Sequence, residues 1–209
     1  AERADLLPLL QFTLNQLFEA RERRDHGGQL TFAAYRALGG LEGAVEKEAE
    51  AAFARLGATE QARLPRLLRE LVAPAADNTR AAGRGAFDIR PVPLADAAYD
   101  EASARLVQAL VDARILLSAG EGGQATVRLA HARVLDSWQR ASRIVADNAD
   151  FYRIRAEVEE QRRRWDAAGR RRDLLIGRGR PLAEAESIVR NFSGELPTAT
   201  REFVRRSGR

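Results

Sequence analysis

Thr126-Val127-Arg128-Leu129-Ala130-His131-Ala132-Arg133-Val134-Leu135-Asp136-Ser137-Trp138 changes period in mid-run. Its first residues alternate in the manner of a half-buried strand, and Val134, Leu135 and Trp138 then fall on one side of a helix. His131 stands at the join, where an imidazole can face the mouth of a cleft and meet a phosphate or a carboxylate. Upstream, Ile115-Leu116-Leu117-Ser118 and residues 125–130 flank the glycine turn Gly120-Glu121-Gly122-Gly123, which predicts a β-hairpin. Helical patterns precede it, over 59–71 and from Asp96 to about Ala113. Helix, loop, helix, hairpin is the order of a winged helix, with the hairpin as the wing.

The segments on either side read as helices in a row. Leu6, Leu9, Leu10, Thr13, Leu14, Leu17 and Phe18 form an i, i+3, i+4, i+7 stripe, with Pro8 tolerated in its first turn. Thr31 is placed to cap a short helix ended by Gly39-Gly40. Leu41, Ala44, Val45, Ala49, Ala52, Phe53 and Leu56 mark the buried face of the next one. Thr59 is an N-cap candidate for a helix carrying Leu64, Leu67, Leu68 and Leu71, and Pro65 falls late enough to shift its start. Residues 73–93 read as a loop in which Phe87-Asp88-Ile89-Arg90 is the one strand-like piece. Beyond His131 the pattern is helical throughout. Phe151, Ile154, Val158 and Trp165 form its long stripe, Leu174-Leu175-Ile176 a short apolar helix, and Pro181 and Pro197 open the last two.

Composition narrows the chemistry. With 45% hydrophobic residues over 209 positions the chain can build a sizeable core in one large domain or two small ones. It has no Cys, which removes disulfides, thiolate metal sites and Cys nucleophiles and fits a cytoplasmic protein. No apolar run approaches the ~20 residues of a membrane-spanning helix. The chain opens with Ala1 inside a helical pattern and contains no Met, so a fragment of a longer protein is expected. The net charge of +4 is uneven: residues 151–209 hold 15 Arg against 9 Asp and Glu, or +6, leaving −2 for residues 1–150. Lys47 is the only lysine, so coding bias accounts for the arginines as well as phosphate binding does. No G-x-x-x-x-G-K-[ST] phosphate loop occurs, and no carboxylate pair or metal-ligand cluster stands at a recognisable spacing. Catalysis by these residues alone is not expected, nor is a bound metal.

Taken in order, several stretches resemble the C-terminal part of the bacterial novel STAND NTPases, signal-transduction ATPases related to apoptotic and plant disease-resistance ATPases. They are Leu7-Pro8-Leu9-Leu10-Gln11-Phe12-Thr13-Leu14, Leu30-Thr31-Phe32-Ala33-Ala34-Tyr35, Gly39-Gly40-Leu41-Glu42-Gly43-Ala44, Leu110-Val111-Asp112-Ala113-Arg114-Ile115-Leu116 and residues 130–138. Trp165-Asp166-Ala167-Ala168-Gly169-Arg170, Leu182-Ala183-Glu184-Ala185 and Arg201-Glu202-Phe203-Val204 resemble that family's helical connector. The resemblance implies a mostly α fold in three parts: a helical subdomain over 1–57, a winged helix over 58–147 and a helical connector over 148–209. It implies an upstream P-loop ATPase core, a downstream sensor or effector such as β-propeller repeats, and ADP or ATP as cofactor of the full-length protein, with none expected on this stretch alone. Pro8 matches a Leu-Pro motif that packs on adenine, and His131 a histidine that reaches the β-phosphate of ADP in the resting form. Ala132 departs from the acidic residue common there. Assembly into an oligomer on activation stays open.

Blander readings stand beside these. His131 also suits a half-buried histidine capping the following helix, and Pro8 a simple helix start. His26 reads as a surface residue, and Trp138 and Trp165 as core. The runs Arg162-Arg163-Arg164 and Arg170-Arg171-Arg172 read as solvated helix faces. Two other functions remain in view, a DNA-binding winged helix and a helical interaction scaffold. Against the first, the helix that would enter the groove carries Asp100, Glu101, Arg105, Asp112 and Arg114, a net −1, where a duplex calls for several cations. Nucleic acid is therefore not an expected partner.

Overall fold

The period change at His131 is a real strand-to-helix junction. In a computed structural model, residues 13–14, 17–18, 31–37, 39–75, 87–120 and 125–209 are described. They form a mostly α chain with two small antiparallel sheets. It divides into two compact units, Ala1–Val145 and Ala146–Arg209. Pro8 and His26 lie outside the described residues, as do Leu6, Leu9 and Leu10 of the first apolar stripe.

In the first unit Thr31 caps α1 (Phe32–Ala37), its Oγ1 accepting the Ala34 N–H at 3.1 Å. Gly39 and Gly40 follow at φ +74° and +70°, a left-handed pair that a side chain would strain. Helix α2 (Gly40–Ala54) buries Ala44, Val45, Ala49, Ala52 and Phe53, the face its spacing predicts. The expected fourth helix is two pieces, α3 (Ala58–Gln61) and α4 (Leu64–Leu71). Thr59 lies inside α3 and does not cap it. Pro65 sits in the first turn of α4, because deeper in a helix its ring meets the carbonyl four residues back. Leu64, Leu67, Leu68 and Leu71 are all buried.

The stretch read as loop holds more pairing than its composition shows. β1 (Val72–Pro74) runs antiparallel to β2 (Phe87–Ile89), with Ala73 opposite Asp88. β3 (Val92–Pro93) adds a third strand to the hairpin of β4 (Leu116–Ala119) and β5 (Thr126–Leu129), in the order β3-β5-β4. Leu116 faces Leu129 and Ser118 faces Val127. Strands of two or three residues ending in proline carry no periodicity, and proline is tolerated at such edges because it lacks only a donor. Between β3 and β4 the expected helix again splits, into α5 (Leu94–Ala97) and α6 (Glu101–Asp112). Asp100 starts α6 with a capping box: its Oδ1 accepts Ser103 N–H at 2.7 Å, and Ser103 Oγ accepts Asp100 N–H at 2.9 Å. Leu106, Val107 and Leu110 bury one side of α6. Arg114, left-handed at φ +57°, ends it, and Ile115 N–H reaches back to Leu110 O at 2.9 Å before β4 begins.

After His131 come α7 (Arg133–Ser137) and α8 (Gln139–Asp147), broken at Trp138, whose ψ of 97° leaves the helical region. In the second unit α9 (Ala149–Ala167) buries Phe151, Ile154, Val158 and Trp165, and Gly169 at φ +73° closes it. The apolar run after it is not a helix. Arg172–Leu174 is a single 3₁₀ turn and Ile176 is a buried plug whose N–H donates to Ser207 Oγ at 3.1 Å. A run that short, hemmed by Gly177 and Gly179, cannot repay helix nucleation. α10 (Arg180–Phe192) has Pro181 in its first turn, and α11 (Thr198–Ser207) follows Pro197. Phe203 packs on Trp165 at 5.2 Å between ring centres, and both are buried. Arg162-Arg163-Arg164 lies on α9, whereas Arg170-Arg171-Arg172 lies past its end and is an exposed turn, not the helix face expected. Ion pairs lace both: Arg162–Asp166 at 2.7 Å, Arg164–Glu160 at 2.9 Å, Arg170–Asp166 at 3.0 Å and Arg171–Asp173 at 2.7 Å. No described helix is long and apolar enough to cross a membrane.

Candidate functional site

The junction forms because strand and helix each have one hydrogen bond to spare there. Ala130 N–H closes the hairpin on Ile115 O at 2.9 Å. His131 O then accepts the Val134 N–H at 3.1 Å, and the His131 ring turns toward the same helix: Nδ1 accepts the Arg133 N–H at 3.0 Å. A new helix has backbone donors with no partner in their own turn, and the imidazole satisfies one of them. A ring that accepts at Nδ1 has Nε2 as its donor nitrogen. His131 is half-buried and is not sealed in hydrocarbon. Ala132, exposed at the helix start, offers no side-chain cap.

Behind the histidine, α7 and α8 are tied to α2 by two carboxylates one helical turn apart. Glu50 accepts Trp138 Nε1–H at 2.7 Å and both Arg140 Nε–H and Nη2–H, at 2.8 and 2.9 Å. Glu46 accepts the Gln139 N–H at 2.7 Å, capping the first turn of α8. Trp138, fully buried, meets Phe53 edge-on at 6.1 Å, and the Arg140 guanidinium lies over that same ring at 4.5 Å. Helix α2 thus fixes the break at Trp138 and, through it, the short helix that follows the histidine. Glu46, Glu50 and Arg140 were not legible as a site in the sequence. The available signal was two Glu spaced i, i+4 beside a buried alanine face.

The Arg140 guanidinium holds the Glu50 carboxyl below its ordinary 4.5, with Trp138 adding to the effect against the opposing pull of burial. The same bond raises Arg140. A depressed carboxylate adds stability that is complete above the unfolded value and is lost as pH falls through the folded one. Glu50→Gln is therefore expected to cost about 1 kcal/mol at neutral pH, small because a third of the side chain meets solvent. That deficit shrinks as pH falls below the ordinary carboxylate value and through the depressed folded one, where wild type is itself protonated. Urea denaturation of both proteins from pH 3 to 7 checks this, and a deficit independent of pH would contradict it.

The helix weighed for DNA contact is committed elsewhere. Arg105 pairs with Glu101 and with Glu60, and Asp100 pairs with Arg63 at 2.8 Å. Its outward positions Glu101, Ala104, Arg105 and Gln108 present no cationic row.

A mostly α chain with a small hairpin leading through a histidine into a helix is the architecture that the resemblance anticipates. The family model described as novel STAND NTPase 1 matches residues 1–173, and the chain belongs to that family of novel STAND NTPases. No curated protein and no solved structure matches the chain.

Proposed function

We propose that this chain is the regulatory part of a STAND-type signal-transduction ATPase, closing over ADP in the resting state and passing nucleotide exchange to a downstream domain. In this reading residues 1–57 are the helical subdomain that ends the nucleotide-binding module, 58–147 a winged helix and 148–209 a connector. The P-loop core on the N-terminal side supplies most of the phosphate contacts, and His131 donates from Nε2 to the β-phosphate of ADP. Pro8 packs on the adenine. The observation that carries the reading is the Arg133 N–H bond to His131 Nδ1, which leaves Nε2 as the protonated nitrogen on a half-exposed ring. Such a donor suits a phosphate oxygen. The bond also does what an acidic neighbour at position 132 would otherwise do, setting ring orientation and tautomer.

Exchange for ATP alters the geometry at the β-phosphate, and the switch works only through unequal affinity of the two states, typically about 1–3 kcal/mol. Histidine side-chain ¹⁵N spectra of the full-length protein test the contact. Saturation with ADP is expected to move the His131 Nε2 resonance and leave Nδ1 an acceptor, while ATP produces a smaller change. Equal responses to ADP and ATP, or none, would contradict the proposal.

A further inference from the structure

Helices α10 and α11 flank an open cleft of about 660 Å³ within the second unit. Its residues lie beyond position 173, outside the part of the chain that the family model matches, and the nucleotide reading makes no use of it. Arg190 comes from α10, one turn before Ser193; Thr198, Arg201 and Arg205 come from successive turns of one face of α11. In this unit Arg153, Arg162, Arg164, Arg171 and Arg180 are engaged by carboxylates, while Arg172, Arg178, Arg206 and Arg209 are exposed and form no ion pair among the described residues. Among the described residues, Arg190, Arg201 and Arg205 form no ion pair, although Glu186 and Glu202 share the lining. Arg201 donates from Nη2 to Thr198 Oγ1 at 2.9 Å, while its Nε is buried without a hydrogen-bond partner.

Three guanidiniums against two carboxylates leave the lining of this cleft net positive, and the buried Arg201 N–H without an acceptor is costly. An oxyanion relieves both. A phosphate suits the set better than a carboxylate, because its oxygens point in several directions and can meet forks from two helices together with the hydroxyls of Ser193 and Thr198. The volume exceeds what a bare phosphate fills and falls within the ~300–1,000 Å³ of small-molecule sites. The half-buried Val189 in the lining offers apolar surface for an organic portion.

We propose that the cleft between α10 and α11 binds a small phosphorylated organic anion, its phosphate gripped by Arg190, Arg201 and Arg205. Isothermal titration of the intact chain with phenyl phosphate, inorganic phosphate and an oligoglutamate peptide tests this. Phenyl phosphate is expected to bind at one site, more tightly than inorganic phosphate, and to lose at least about tenfold in affinity in Arg190→Gln/Arg205→Gln. Both of those arginines are exposed, so the variant keeps the fold, which circular dichroism verifies. His131→Ala is expected to leave the titration unchanged, which separates this cleft from the nucleotide contact. The proposal is overturned by absence of saturable phenyl phosphate binding, by equal affinity in the double variant, or by tighter binding of oligoglutamate, which would make the cleft a dock for acidic peptides.

Discussion

Trp138→Ala is expected to remove about 3–5 kcal/mol of stability, the range for deleting a large buried aromatic. Three losses combine. The indole is wholly buried and edge-on to Phe53, so its removal opens a void beneath α2. Glu50 loses a donor at 2.7 Å, and the carboxylate is left to Arg140 alone. The break between α7 and α8 also loses the side chain that anchors it. Trp138→Phe separates these effects, since it keeps most of the apolar volume and deletes only the N–H. It is expected to cost about 1–2 kcal/mol, in line with one hydrogen bond to a charged acceptor that stays partly solvated. Urea denaturation reads both variants. A loss below about 1 kcal/mol for Trp138→Ala would mean that the clasp between α2 and the α7–α8 break carries little of the fold.

How far the sequence disclosed this arrangement depends on segment length. The long stripes of 41–56 and 151–165 are legible because each buried residue repeats the same period over several turns. The structure buries Ala44 to Phe53 of the first and all four residues of the second, while Leu56 falls past the helix end and is half-buried. The hairpin is legible because Gly120 and its neighbours interrupt two apolar runs of matching length. What escaped was short or depended on distant partners. β1 and β3 have too few residues to show alternation, and their prolines argue for loop. The helices expected over 59–71 and 96–113 each break, at Pro65 and at the capping box of Asp100, because a local cap or ring outweighs a continuing apolar pattern. The run 174–176 is apolar for a different reason: Ile176 fills a hole beside α11 and finds its acceptor on Ser207, 31 residues away in sequence.

The site shows the same division. His131 stood out because a change of period needs a junction residue, and histidine is an unusual choice there. Its Nδ1 bond to Arg133 turns the two readings of that residue into one geometry, since capping the helix is what sets the tautomer. Glu46 and Glu50 could not be singled out, because their partners Gln139, Trp138 and Arg140 lie some ninety positions further on. Nothing in the spacing of Arg190, Arg201 and Arg205 distinguishes them from the paired arginines of α9. Only the placement of acids around each one does so.

The second large effect concerns nucleotide. If Nε2–H of His131 holds a β-phosphate oxygen in the resting protein, the bond joins an N–H donor to a charged acceptor, a class of about 1.5–3 kcal/mol. Removing the ring then speeds ADP release by about tenfold or more, since each 1.4 kcal/mol is one decade. Contacts from a P-loop would remain, so binding weakens without vanishing. Basal signalling rises in step, because an empty or ATP-loaded site no longer favours closure. His26→Ala serves as the control and should release ADP at the wild-type rate. The decisive measurement is the ADP dissociation rate of the full-length protein with His131→Ala, followed by displacement of a fluorescent ADP analogue. Release at least about tenfold faster than wild type is the result expected here, and an unchanged rate would show that His131 caps its helix and touches no nucleotide.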